Sequence, residues 1–582
     1  MQFVILHIIF LIFLNFNISN SVIVSTSFGR LNGKENGEYH AFKHVPFARP
    51  PLGNLRFQKP ENVEKWEDLR DAKEYGPACM SNSTYTKSPQ KWVDEDCLHV
   101  NIFTSNRCLE TKDCDVVVYI HGGDVLFDSA VMFNDDYLYE TFSANDVILV
   151  IPGFRLGIFS HFVVEDQSVA PTNLAIYDIL KALEFVKSEI HNFGGSNKKV
   201  TTLGHSYGGT LTSMMAFSTE INKDLSLFQR VVSMSAHQFF ETLDFHIEKT
   251  QRFAKYANCL VHPKLAKRVT RRQQDLYTMK CLQKKSGMEI LRIQRALEEE
   301  GFPTYGAVVL REPLFQNVKP SEFMDSPKMI PMLTGCTRIE FDHEPELLNL
   351  ATVFGFDNAE EVEKKYRSDL QEGIFDRDNH TDKTQAMIVP TMMRVNKLLE
   401  KGIPTYLYEY TYPKHAKHTD DLYYIMGLHP YEEDENEVHL KTVYRNMFLN
   451  FAKFGYPGDG FEMSDIENSR YFEVYWNETT GQRPQMRDGF EKKVNDYWLK
   501  DMFEFDRKIT EEKENQIKPK LRYSPYTFDF SGNYDLSYLL TSFIMIILIF
   551  LIANCIHKCC AQREKNLYIR IDGNDFETMK HI

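Results

Sequence analysis

The sequence predicts an α/β fold, with a mostly parallel central sheet covered by helices on both faces. Three observations carry that expectation. Short apolar runs rich in β-branched residues recur, amphipathic segments fall between them, and glycine turns follow several of the runs. Ligands in such sheets bind beyond the carboxyl ends of the strands, so those turns are where a site is expected.

Val116-Val117-Val118-Tyr119-Ile120 is the first run, and it ends at His121-Gly122-Gly123. Val147-Ile148-Leu149-Val150-Ile151 is the second, stopped by Pro152-Gly153. From Asn173 to Phe193 the spacing predicts a helix, with Ile176, Ile179, Leu180, Leu183, Val186 and Ile190 on one face. Val200-Thr201-Thr202-Leu203 then reads as a strand, followed by a glycine turn and a helix through Met214 and Met215. Arg230 to Met234 and Thr405 to Tyr410 read as further strands.

With 582 residues, 43% hydrophobic and 25% charged, the chain has apolar material for a large core. Its net charge of −14 argues against nucleic acid as a partner, because phosphate binding needs basic surface. Residues 1–21 form a short hydrophobic stretch followed by small and polar residues, which reads as a secretory signal. Leu536 to Ile556 carries no charge and has the ~20 apolar residues that a helix needs to cross a bilayer. His557, Lys558, Arg563 and Lys565 on its far side make the tail cytoplasmic. The expected layout is an exported body (22–515), a stalk (516–535), a membrane helix (536–556) and a tail (557–582), which is a single-pass type I protein. Tyr568-Ile569-Arg570-Ile571 in the tail resembles a tyrosine-based sorting pattern, so the expected location is either the cell surface or an endosomal or lysosome-related membrane.

The cysteines fit an oxidising compartment. Cys79, Cys97, Cys108, Cys114, Cys259 and Cys281 form an even set with three local spacings, and sequential pairing is the simplest of fifteen connectivities. Cys336 is left over. Cys555, Cys559 and Cys560 at the membrane face are either S-acylated or ordinary reduced thiols. Asn82, Asn379 and Asn477 head glycosylation triplets.

The turn after the Val200 run reads Gly204-His205-Ser206-Tyr207-Gly208, a Gly-x-Ser-x-Gly between a strand and a helix. A nucleophilic serine needs that context: a sharp turn, with glycines where the chain bends tightly and packs closely. Around it lie "FKHVPFARPPLGNLRF" (Phe42 to Phe57), "DEDCLHVNIF" (Asp94 to Phe103), "FGGSNKKVTTLGHSYGG" (Phe193 to Gly209) and "FAKFGYP" (Phe451 to Pro457). In that order these blocks resemble the type-B carboxylesterases, the carboxylesterase/cholinesterase branch of the α/β-hydrolases, from about Gly29 to Trp498. The resemblance implies the α/β-hydrolase fold and a Ser206–Glu340–His418 triad.

Glu340, in "MLTGCTRIEFDHE", falls at the family's acid position, although Phe341 replaces the usual glycine. His418, in "KHTDDLYYIMG", falls at the base position, with His415 three residues away as the competing histidine. The chemistry is independent of the name. A serine hydroxyl needs a base to take its proton, and an imidazole needs a carboxylate to fix its tautomer.

The resemblance also assigns an oxyanion hole to the N–H groups of Gly123, Asp124 and Tyr207. Asp124 departs from the family pattern. A carboxylate about 5 Å from a developing oxyanion costs roughly 3 kcal/mol at an effective dielectric near 20, unless it rotates away or binds a substrate hydroxyl. His205 before the serine, where cholinesterases carry glutamate, argues against choline esters. Trp92 lies too close to Cys97 to be a cation-binding tryptophan and is expected to pack under the disulfide loop. The implied activity is a serine carboxylesterase acting on a small-molecule ester, by hydrolysis or by acyl transfer to an alcohol or sugar hydroxyl, with no metal and no cofactor. The competing expectation is a non-catalytic, neuroligin-like or gliotactin-like adhesion protein. Those proteins join the same domain to a single span but have typically lost the nucleophile.

Overall fold

The computed structural model describes residues 22–81, 92–238, 240–301, 308–343 and 347–521. The chain divides into two compact units, residues 1–511 and 512–582, and in the second only the helical residues 512–521 are described. The expected signal, Asn82, stalk residues 522–535, the apolar run 536–556 and the tail lie outside the described residues. Among the described residues no helix is long and apolar enough to cross a membrane. The last helix, Phe503–Leu521, covers the first residues assigned to the stalk.

Fifteen strands are described. The first seven are β1 (Val22–Ser25), β2 (Arg30–Asn36), β3 (Tyr39–Pro46), β4 (Arg70–Ala72), β5 (Ala78–Cys79), β6 (Val93–Asp94) and β7 (His99–Ser105). Four follow in the middle of the chain: β8 (Cys114–Ile120), β9 (Val147–Pro152), β10 (Gly195–His205) and β11 (Arg230–Met234). The last four are β12 (Met332–Thr337), β13 (Thr405–Tyr410), β14 (Tyr471–Val474) and β15 (Gln485–Arg487). Thirteen of them form one sheet in the order β1-β2-β3-β7-β9-β8-β10-β11-β12-β13-β14-β15, with β4 beside β2. From β9 to β14 every neighbouring pair is parallel. Antiparallel pairs flank that block on both sides.

Continuous apolar strands follow from burial on both faces, and the side-chain clusters show it. Val116, Val118, Ile120, Ile148 and Val150 point into one core, while Val117, Tyr119, Val147, Leu149 and Ile151 point into the other. The helix Leu174–Glu189 lays Ile176, Ile179, Leu183 and Val186 onto the first of these cores. Each such side chain is worth about 1.5–3 kcal/mol of transfer free energy. The expected helix from Asn173 to Phe193 is therefore present but shorter. Asn173 sits in left-handed conformation at its start, and Ile190–Phe193 tighten into a 3₁₀ turn.

β10 starts five residues before the expected Val200, because Gly195 already pairs with Cys114 across a register shift. Its first half is polar and partly exposed, so the apolar signal begins only at Val200. β9 runs one residue past the expected stop, with Pro152 paired to Val100 at the end of the ladder. The disulfides join Cys79 to Cys97, Cys108 to Cys114 and Cys259 to Cys281, while Cys336 is reduced and fully buried in β12. Trp92 does not pack under the first of these bridges, since 48% of its surface is exposed. Neighbouring Cys97 is buried without it.

The helix Tyr207–Phe217 crosses β10 at very close range. A Cβ on Gly204 would lie 2.2 Å from the Gly208 carbonyl oxygen, and one on Gly208 would lie 2.0 Å from that of Ile120. Backbone atoms cannot move aside as a side chain can. Gly208→Ala is therefore expected to destabilise the protein by about 3 kcal/mol, read as a lower midpoint in urea unfolding with an unchanged slope.

Candidate active site

The parallel strands deliver the site residues at their carboxyl ends. β8 ends at Ile120 and runs into His121-Gly122-Gly123-Asp124; β10 ends at His205, directly before Ser206. β11 ends at Met234, before Ser235 and His237, and β12 ends at Thr337, three residues before Glu340. His418 comes from the loop after β13.

Ser206 has φ 56° and ψ −127°, a conformation that costs a non-glycine residue about 1–3 kcal/mol and that the close strand–helix crossing imposes. Its N–H donates to the Met234 carbonyl at 2.9 Å, so the turn is tied to the next strand. Its hydroxyl lies 2.9 Å from His418 Nε2. His418 Nδ1 lies 2.5 Å from Glu340 Oε2. Glu340 is fully buried, and its other oxygen accepts from the Ser235 hydroxyl at 2.6 Å and the Thr337 N–H at 2.9 Å. The Glu340 carbonyl also accepts from the His418 N–H at 2.9 Å. Acid and base are thus joined through backbone as well as side chains.

His415 is committed elsewhere. Its Nδ1 lies 2.5 Å from Glu437 Oε1 and its ring stacks on Tyr431.

Burial alone would lower the pKa of His418, but Glu340, with Asp421 and Asp124 behind it, holds it above the usual histidine value. Asp421 is fully buried and accepts from the Tyr444 hydroxyl at 2.5 Å; burial and the Glu340 charge push it up to about 7. His205 lies beside both, 4.9 Å from the His418 ring and with Nε2 4.0 Å from Asp421 Oδ1. Burial keeps His205 far below the usual histidine range, so at neutral pH it adds no positive charge.

Phe341, standing where the family has glycine, packs its ring 4.4 Å from that of His418, and the Lys383 ammonium lies over the Phe341 ring, 5.3 Å from its centre. The turn after β11 is fixed from below by Arg394, a fully buried guanidinium that donates to the Ala236 carbonyl at 2.8 Å. Burial pulls Arg394 down to about 9.

Ser206 and His418 open into a cavity of about 440 Å³ whose walls include Gly123, Asp124, Phe127, Met387 and Leu428. That size suits a small organic molecule. Gly123 and Asp124 both have positive φ, which curls the loop between β8 and Leu126 beside the serine. The Asp124 side chain is 57% accessible, and it forms part of the cavity lining. Enclosure there disfavours its charge, but His237, 3.8 Å away, together with His418 and Lys383 outweighs this and keeps the carboxyl ionised below its usual range. Asp124→Asn is expected to raise kcat roughly two- to tenfold for a neutral ester, because a negative charge in the cavity wall, where an oxyanion would develop, is removed. The acid limb of the rate profile should move to lower pH, since Asp124 helps to raise His418. Steady-state kinetics from pH 5 to 9 check both.

The candidate triad is therefore one hydrogen-bonded line, and the three oxyanion-hole candidates lie beside it on the loop after β8 and at the start of the helix after β10. Asn379 is exposed and Asn477 half-buried, with Asn477 Oδ1 accepting from the Thr480 N–H at 3.0 Å. Sequence reasoning missed Ser235, His237, Asp421, Lys383 and Arg394. The strand-end rule is the signal that finds the first two, because both follow β11 directly.

A serine on a strand–turn–helix elbow at the carboxyl edge of a mostly parallel sheet, in line with histidine and glutamate, defines the α/β-hydrolase class. A crystal structure of juvenile hormone esterase from Manduca sexta with OTFP covalently attached shares the fold. It has a TM-score of 0.70 and 21% identity, and the match covers 83% of this chain and 100% of that one. The profile described as the carboxylesterase family matches residues 20–502, and the chain belongs to that family. Mouse carboxylesterase 1C is 27% identical over 75% of this chain and 86% of its own length. Gut esterase 1 of Caenorhabditis briggsae is 32% identical and the acetylcholinesterase of Bungarus fasciatus 35%, over 41% and 36% of this chain. The chain spans less than half the length of those last two relatives, 42% and 36%.

Proposed function

We propose that this protein is a serine carboxylic ester hydrolase that works through an acyl-enzyme on Ser206. The observation that carries the reading is the Ser206–His418–Glu340 hydrogen-bond line opening into the cavity. The Ser206 oxygen attacks the ester carbonyl while His418 Nε2 takes its proton. Glu340 holds the Nδ1–H tautomer and stabilises the imidazolium. The tetrahedral oxyanion accepts from the N–H groups of Gly123, Asp124 and Tyr207. His418 then returns the proton to the leaving alcohol, and water, activated by the same imidazole, releases the acid.

An alcohol or sugar hydroxyl that reaches the acyl-enzyme before water gives acyl transfer instead, and the Asp124 carboxylate in the cavity is a ready acceptor for such a hydroxyl. Family membership admits non-catalytic adhesion proteins, but retention of the full hydrogen-bonded line favours the enzyme. The reading keeps the body on the exported side of a type I membrane protein, at the cell surface or in endosomal or lysosome-related membranes.

A fluorophosphonate probe tests the proposal, with covalent labelling of the wild type and none of Ser206→Ala expected. Absence of label on both sinks the enzymatic reading. With labelling established, assays with and without added alcohols separate hydrolysis from transfer.

A further inference from the structure

The net charge of −14 hides a segregation. Between Arg252 and Lys285 the chain carries ten lysines and arginines against a single acidic residue, Asp275. That is a net +9 over the segment, which leaves −23 on the rest of the chain, and within the segment Arg252, Arg271 and Arg272 pair with Glu300, Glu165 and Asp166 from outside it. The segment packs through one side only. Phe253, Ala254, Met279 and Leu282 enter a core shared with Phe57, Phe159 and Phe162, so the remaining faces of the helices Leu243–Tyr256 and Arg271–Gln283 point outward.

Lys264, Lys267, Arg268, Lys280 and Lys284 are all exposed, and none makes an ion pair among the described residues. The fold gathers them. The Cys259–Cys281 bridge, with Cα atoms 5.5 Å apart, brings the end that bears Lys280 and Lys284 against the start of the run that bears Lys264. Gln274 Nε2 donates to the Ala266 carbonyl at 3.0 Å and ties the same run to the helix midpoint. The two ties set Lys264, Lys267 and Arg268 alongside the helix that carries Lys280, a helix about 20 Å long over its thirteen residues, and make a cationic ridge with it.

Unpaired like charges held together repel one another and lower stability unless something of opposite charge covers them. We infer that this ridge binds a linear polyanion, specifically a sulfated polysaccharide chain. Three disulfides place the folded body in an oxidising compartment, where nucleic acid is not the prevailing polyanion. A bilayer fits less well, because the apolar residues among these cations are each more than half covered. Leu260, Leu265 and Tyr277 are 42%, 41% and 43% exposed, which leaves little to insert. Recognition is by charge density along the ridge, with Lys and Arg taking sulfates and releasing counterions.

The test uses the full chain on immobilised heparin. Wild type is expected to bind at 0.1 M NaCl and to elute only at higher salt. The variant K264Q/K267Q/R268Q/K280Q/K284Q should bind at least tenfold more weakly, with the slope of log Kd against log salt reduced by about 3 to 5. A control with the scattered exposed lysines Lys112, Lys198, Lys223, Lys401 and Lys508 changed to glutamine should elute close to wild type. Unchanged activity on a small ester and an unchanged melting curve in the ridge variant tie the loss to the ridge. Failure of wild type to bind, equal elution of ridge variant and control, or tighter binding to phosphatidylserine vesicles or duplex DNA than to heparin would each overturn the inference.

Discussion

Ser206→Ala is expected to lower kcat by about 10⁵-fold on any ester the wild type turns over, with KM little changed. The cavity keeps its walls when one oxygen is removed, so ground-state binding survives, while the covalent step loses its nucleophile. His418→Ala should fall almost as far, and the double variant should fall no further, because the two residues act as one unit. Activity of Ser206→Ala within tenfold of wild type would show that the hydroxyl 2.9 Å from His418 Nε2 does no chemistry.

Glu340→Gln is the second large effect, about 10³- to 10⁴-fold in kcat. The amide fills the same space and can still accept from Ser235 and Thr337, so folding should be preserved. What it removes is the charge that orients His418 and raises its pKa. His418 must be neutral to take the serine proton, so wild-type activity falls as pH drops through a value above the ordinary 6.5. Without Glu340 that value drops, and the residual activity should persist to lower pH. Asp421, pushed up to about 7, titrates close by, so the acid limb belongs to the coupled groups and not to one residue. A kcat/KM profile of the variant superimposable on wild type would refute this assignment of Glu340.

Much of this architecture could be read from residue order because burial writes itself into sequence. The runs that became β8 and β9 are apolar on consecutive positions, the pattern of a strand covered on both faces. Ser206 was legible for a related reason, since a Cβ at either flanking glycine would fall within 2.2 or 2.0 Å of a backbone carbonyl oxygen. β12 was not recognised as a strand, because Met332–Thr337 mixes Gly335 and two threonines into a short run that carries no periodicity. The N-terminal strands escaped as well. Arg30–Asn36 is polar along much of its length, and its ladder is formed with neighbours rather than by apolar burial. Ser235 was invisible as part of the site because its role arises from a contact with Glu340 across 105 residues. No local pattern encodes such a separation. The acid and base positions, 78 residues apart, came from family resemblance and not from spacing.

Cys336 turns the sheet into its own clock. The thiol is fully buried in β12, held between β11 and β13, and burial keeps it protonated and inert in the native state. An alkylating reagent can reach it only when the helices that cover this face of the sheet lift away or the strand itself opens, so its rate of modification, followed on the tryptic peptide, times the loosening of the core beneath the turn that carries Glu340. The same reagent would time how far a covalent inhibitor on Ser206 slows that breathing.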